Sequence, residues 1–224
     1  MPTTPTELRN LLVRLTGDAT ADLEALWAKL DASTVRDGLF DVMPALVGDY
    51  GDAASVLSAE WYDEYRSGLN IRGSYAADLS SLDLGVESLA GWGSSLAVAD
   101  WDSALALITG GLIKRVMNAS RDTIMGNTDH DPQSVGWMRV GRPECGWCAM
   151  LISRGAVYRT RSTADFAAHD NCKCSCCPAW DRDQITTVRN EFVPSARRRS
   201  DDAKRADQDR AKRWIETNLP EFSR

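Results

Sequence analysis

All six cysteines of the chain, and one of its two histidines, fall between Arg139 and Trp180. Cys145 and Cys148 form a Cys-x2-Cys pair; His169, Cys172, Cys174, Cys176 and Cys177 follow after a longer segment. Two thiolates two residues apart can share one tight turn with both sulfurs aimed at one point, and a second pair from a distant segment completes a tetrahedron. His169 and Cys172 can supply that pair from a turn, or Cys172 and Cys174 from an extended stretch in which alternate residues face one side. Zinc suits a mixed sulfur and nitrogen set, being borderline-soft and redox-inert. One structural Zn2+ per chain is therefore expected, with Cys145, Cys148, His169, Cys172 and Cys174 as candidate ligands. Cys176 and Cys177 stand close enough in sequence to leave the fourth ligand open. Four protein donors close the coordination sphere, which favours scaffolding over catalysis.

Two other chemistries compete. A disulfide framework needs an oxidising compartment, and the stretch Met1 to Arg9 has no apolar signal core, so export is not expected. Pro-Glu-Cys145-Gly-Trp-Cys148 is similar to half of the zinc nucleobase deaminase signature, which also needs an upstream His-x-Glu. The only upstream histidine, His130, is followed by Asp131 and Pro132, with no glutamate in the shuttle position. A metal-dependent hydrolase would need an open coordination position and a base, for which Glu144 is the nearest carboxylate. No enzymatic activity is expected.

The chain has 224 residues and a net charge of -6, enough for one large domain or two small ones. That charge disfavours a protein that coats nucleic acid, so any DNA contact is local. A DNA-binding module would use Arg139, Arg142, Arg154, Arg159 and Arg161 around the metal site, joined by Arg197 to Arg199, and its binding would fall steeply with salt. No run of about 18 apolar residues is present, and no membrane association is expected.

The elements that must position the cysteines are mainly helical. Thr4-Pro5-Thr6-Glu7 is a capping box with proline at the first helical position; Leu8, Leu11, Leu12 and Leu15 mark a short helix that Gly17 and Asp18 interrupt. Leu23, Leu26, Trp27 and Leu30 mark a second, and Leu46, Tyr50, Leu57, Trp61 and Tyr65 a third. A connection is expected from Ser67 to Ser81, then a helix through Val86, Leu89, Gly93 and Leu96. Trp101, Leu105, Ile108, Leu112 and Val116 start a further helix that Gly110-Gly111 weakens and Gly126-Asn127 stops. The tryptophans of this region are read as core. Gly136 to Val140 and Gly155 to Tyr158 read as short strands, and Ala149 to Ser153 as a helical turn. Asp201 to Thr217 suits a surface helix with Ala211, Trp214 and Ile215 on a modest apolar face. The expected organisation is an α-helical domain over 1–127, a zinc-stapled α/β unit over 128–180, and a charged tail with a helix over 181–224.

Three blocks carry a resemblance. They are Asn118-Ala-Ser-Arg-Asp-Thr-Ile124, Gly136 through Tyr158 with its Met150-Leu-Ile-Ser-Arg-Gly-Ala-Val-Tyr158 run, and Phe166 with His169-Asp-Asn-Cys172-Lys-Cys174. Together they resemble the MuF-like minor capsid, or head morphogenesis, proteins of tailed phages that infect actinobacteria. Trp61-Tyr62-Asp63-Glu64-Tyr65-Arg66 is similar to a further element of that family. The resemblance implies a minor structural protein of the virion, made in the host cytoplasm, with portal and capsid proteins as partners and a role in DNA packaging or ejection. It also implies a metal role for Cys145, Cys148, His169 and Cys172 or Cys174, while Cys176 and Cys177 depart from the family pattern.

Overall fold

The computed structural model describes all residues except 1, 80–81, 144, 161–163, 165, 167, 182–199 and 223–224. Glu144, Arg161 and Arg197 to Arg199 thus lie outside the described residues. The fold is mainly α, with helices α1 (Pro5–Trp27), α2 (Val35–Gly68), α3 (Val86–Ala99) and α4 (Trp101–His130). After them come strand β1 (Gly136–Val140), helix α5 (Gly146–Ile152), strand β2 (Ser175–Ala179), helix α6 (Asp201–Asn218) and a closing 3-10 turn at Pro220–Phe222.

Helix α1 opens with the expected capping box, Thr4 accepting from the Glu7 amide and the Glu7 side chain reaching back. Gly17 and Asp18 do not interrupt it. The buried positions Leu8, Leu12, Thr16, Ala19, Leu23 and Trp27 stay in helical phase across the pair, which sits on the exposed face. A glycine penalty of about 1 kcal/mol is small beside the burial of that stripe. The expected second helix is therefore the end of α1. Helix α2 starts earlier than its sequence stripe, at Val35, and accommodates Pro44. Helix α4 runs past Gly126-Asn127 to His130, because Asn127 is buried and donates to the carbonyls of Thr123 and Asp78 instead of ending the helix. Trp27 packs on Trp101 with ring centroids 4.4 Å apart and Trp61 is fully buried. Trp92 departs from the expected core role, being 46% exposed.

The sheet is a two-stranded antiparallel pair in which Gly136 faces Ala179 and Val140 faces Ser175. Gly155 to Tyr158 is not a strand: Tyr158 makes one isolated bridge to Trp137. The true partner, Ser175-Cys-Cys-Pro-Ala179, is buried along its whole length and so shows no alternating pattern. One apolar cluster runs from Leu8 and Trp61 through Ile108 and Val116 to Trp137, Phe166 and Cys177. The cysteine-bearing strand thus packs on the helices.

A buried ion pair locks this junction. The Arg66 Nε donates to Asp131 Oδ2 at 2.9 Å, the Trp180 indole donates to the same oxygen at 2.8 Å, and the remaining guanidinium nitrogens reach the carbonyls of Arg72 and Gly73. Burial acts to raise the Asp131 pKa, but hydrogen bonds from Arg66, Trp180 and the Gln133 amide outweigh it and hold the carboxyl below its usual range. A depressed folded pKa contributes stability above the unfolded value, and that stability is lost as pH falls through the folded one. Asp131→Asn is expected to destabilise by about 2 kcal/mol at neutral pH, since it takes from the buried Arg66 its directly paired carboxylate. Urea melts from pH 7 to pH 3 check this, because wild type and variant must converge as pH falls.

Among the described residues no helix is long and apolar enough to cross a membrane.

Candidate metal centre

The first ligand pair is made by the start of α5. Cys145 is its N-cap, in extended conformation, and its sulfur accepts from the Cys148 amide at 3.4 Å. One turn of helix thus places both sulfurs on the same side. The second half is a tight turn, His169-Asp-Asn-Cys172, closed by the Cys172 amide donating to the His169 carbonyl at 3.3 Å. Asn171 takes a left-handed φ of 61°, which asparagine tolerates better than most residues. The turn lies on α4 at Gly110, where an added Cβ would stand 2.9 Å from the Asn171 side-chain Nδ2 and 3.2 Å from Asp170 Cβ. Gly110 therefore does not break α4; it makes room for the ligand turn.

Three arginines seat this segment and the Phe166 stretch before it. Arg121, fully buried on α4, donates to the carbonyl of Cys172 at 2.6 Å and twice to that of Cys174, at 3.0 and 2.7 Å. Arg9 of α1 donates to the Lys173 carbonyl at 3.1 Å. Arg139 donates to the Phe166 carbonyl and lies over the Phe166 ring, 3.7 Å from its centroid, with Arg121 also over that ring at 4.5 Å. Sequence reading did not assign Arg121 or Gly110 to the site. The available signal was a charged residue inside an otherwise apolar helical stripe, a position that demands buried partners.

Five candidate ligands meet. The sulfurs of Cys145 and Cys148 lie 3.4 and 3.5 Å from His169 Nε2, and the Cys148 and Cys172 sulfurs are 3.9 Å apart. The donors form two overlapping groups, Cys145 with Cys148 and His169, and Cys148 with Cys172 and Cys174, each with all donor atoms within 4.8 Å. Bond lengths of about 2.3 Å to sulfur and 2.0–2.1 Å to nitrogen imply tetrahedral edges of roughly 3.8 Å between sulfurs and 3.5 Å between sulfur and nitrogen. Three spacings match these edges, the two from sulfur to His169 Nε2 and the one between the Cys148 and Cys172 sulfurs, with Cys148 bridging the two groups. Cys176 and Cys177 stand apart from these groups: Cys176 faces the Arg121 carbonyl at 3.6 Å, and Cys177 its neighbouring Pro178 carbonyl at 3.5 Å. All six cysteines are free thiols.

The electrostatics also fit a cation. His169 Nδ1 lies 2.7 Å from the Asp170 carbonyl, so it carries the proton and leaves the Nε2 lone pair toward the sulfurs. Hydrogen bonds from Cys148 and Cys174, aided by Arg121, pull Cys172 strongly toward thiolate, while Cys148 is pushed up and Cys174 reaches about 11. Without a cation the packed thiols ionise at one another's expense, and a metal ion would relieve that repulsion. Burial draws the Arg121 guanidinium down to about 10, against the attraction of Cys172.

The basic surface expected around the site is smaller than its sequence suggests. Arg139 and Arg154 are buried, because the first is taken up by Phe166 and its carbonyl and the second packs within the unit at 7% exposure.

The chain matches the family described as VG15 protein over residues 2–208. It is 41% identical over 61 residues to the Gene 15 protein of Mycobacterium phage D29, covering 25% of this chain and 22% of that one. With the Gene 15 protein of Mycobacterium phage L5 the identity is 46% over 59 residues, covering 24% and 20%. These alignments span about a fifth of each relative's length. No solved structure matches. Matched over nearly its whole length, the chain belongs to the VG15 protein family.

Proposed function

We propose that this protein is a minor capsid, or head morphogenesis, component of a phage of the MuF-like type, stapled by one structural zinc ion. It acts in head assembly beside the portal vertex, where it can contact packaged DNA, and it has no catalytic role. Membership of the VG15 family and similarity to two mycobacteriophage proteins support the phage assignment. The observation that carries the zinc reading is the meeting of two distant segments at Cys148, with three donor spacings close to the edges of a zinc tetrahedron. Cys145, Cys148, His169 and Cys172 are the ligands, and Cys174 is a thiol held beside them. Cys148, Cys172 and Cys174 are buried, so a bound ion would be enclosed on that side, as in structural sites. The DNA-binding module is the weaker reading, since two of its five arginines around the metal site are buried.

Two measurements test this together. Protein purified without added metal is expected to carry one zinc per chain, with thiols that react only after chelation. Peptides of the chain are expected in mass spectra of purified phage particles, together with cross-links to portal or capsid protein. Absence from particles sinks the virion reading; metal-free protein that takes up no zinc sinks the staple.

A further inference from the structure

Helix α5 has seven residues, and helices shorter than about 12 are marginal in water on their own. Two of the proposed ligands define it: Cys145 caps its first turn and Cys148 lies within that turn. Its other face carries a second apolar cluster, separate from the main core, in which Met150 and Leu151 pack with Ala211 of α6. Trp147, Trp214, Ile215 and Leu219 close around them. The contact is intimate at Gly146, between the two cysteines, where an added Cβ would stand 2.6 Å from Ile215 Cγ2 and 3.3 Å from Phe222 Cβ. Elsewhere α6 is occupied by its own charge pairs, Asp201 with Lys204, Asp202 with Arg205 and Asp207 with Arg210. The expected solvated surface helix is thus seated on the metal knuckle through its apolar stripe.

We propose that the C-terminal helix is a metal-gated arm: an ion held by the Cys and His cluster forms α5 and thereby docks α6, and loss of the ion releases it. This rests on the zinc reading above. Release uncovers Trp147, Met150 and Leu151 on one side and Trp214 and Ile215 on the other, while α1 to α4 keep the main core, to which α6 contributes no residue. Coupling of this kind is reciprocal, so docking of α6 must strengthen zinc binding by the same factor that zinc strengthens docking.

Hydrogen exchange on the full chain, zinc-loaded and after chelation, reads the gate peptide by peptide. Chelation is expected to lower protection of α5 and α6 about tenfold or more, with α1 and α2 unchanged, and added zinc to restore it. Ile215→Asp provides the second arm, since it removes the docking contact without touching a ligand. It is expected to free α6 at full zinc occupancy and to weaken zinc affinity measurably in a competition titration. If zinc is bound and then removed while α6 stays protected, the gate is overturned and the staple stands. If protection is lost throughout α1 to α4, release is global unfolding and the gate is overturned as well. If the chain takes up no zinc at all, both readings fall.

Discussion

Cys148→Ser is expected to abolish stoichiometric zinc binding and to lower the melting temperature by roughly 10–15 °C, more than any other single cysteine substitution. Cys148 is the one donor common to both groups of candidate ligands, lying 3.5 Å from His169 Nε2 and 3.9 Å from the Cys172 sulfur. A structural zinc contributes on the order of 10 kcal/mol to the folding of small zinc-finger peptides. Here the surrounding unit also packs on α4, so a loss of about 4–5 kcal/mol is expected. Cys145→Ser should act in the same direction, since no spare thiol stands beside it. Cys174→Ser should retain the ion, because Cys172 completes the set. Cys177→Ala removes a buried sulfur that faces the Pro178 carbonyl and the Tyr65 hydroxyl, outside both donor groups, and the small cavity it leaves should cost about 1 kcal/mol. Thermal melts paired with zinc analysis rank the four variants, and equal losses from Cys148, Cys174 and Cys177 would contradict the ligand set.

Arg121→Met is expected to destabilise by about 3–4 kcal/mol and to weaken zinc affinity 10–100-fold, although Arg121 touches no donor atom in the proposed coordination sphere. The guanidinium satisfies the carbonyls of both Cys172 and Cys174 and is braced by Asn118 Oδ1 at 2.8 Å. Methionine fills the volume but leaves two buried carbonyls without a donor, each worth about 1–3 kcal/mol. It also removes the positive charge that favours thiolate at Cys172. Arg121→Lys separates the two contributions, since an ammonium keeps the charge but cannot span both carbonyls with a planar fork. An intermediate affinity with a melting loss near that of Arg121→Met would assign most of the stability to the fork. Unchanged zinc affinity in Arg121→Met, read by chelator competition, would remove Arg121 from the support of the site.

Much of this architecture was legible in order and type. The capping box at Thr4, the stripe through Trp101 and Ile108, and the helix after Ser200 all follow from local chemistry, because cap hydrogen bonds and helical periodicity involve residues within a few positions of one another. Gly17, Gly110 and Gly126 misled the reading for the same reason. A glycine lowers local helix propensity wherever it occurs, but whether it ends a helix depends on what lies across from it. At Gly110 that is the Asp170-Asn171 turn, sixty residues away along the chain. The strand over 175–179 stayed hidden because it is buried on both faces, so alternation, the only local signature of a strand, is absent.

The candidate site divides in the same way. The sequence by itself determined the donor inventory, the Cys-x2-Cys knuckle and the His-x2-Cys turn, since each is closed by backbone geometry over three residues. Only the tertiary structure decided which of the later thiols face the knuckle. The strand register turns Cys176 and Cys177 into the core against α4 and α2, while the carbonyls on either side of Lys173 are held by Arg121 and thereby aim Cys172 and Cys174 at Cys148. That selection is made by a buried cation on a helix more than fifty residues upstream. A buried guanidinium must find every acceptor within reach, and those acceptors exist only once the chain has folded around it.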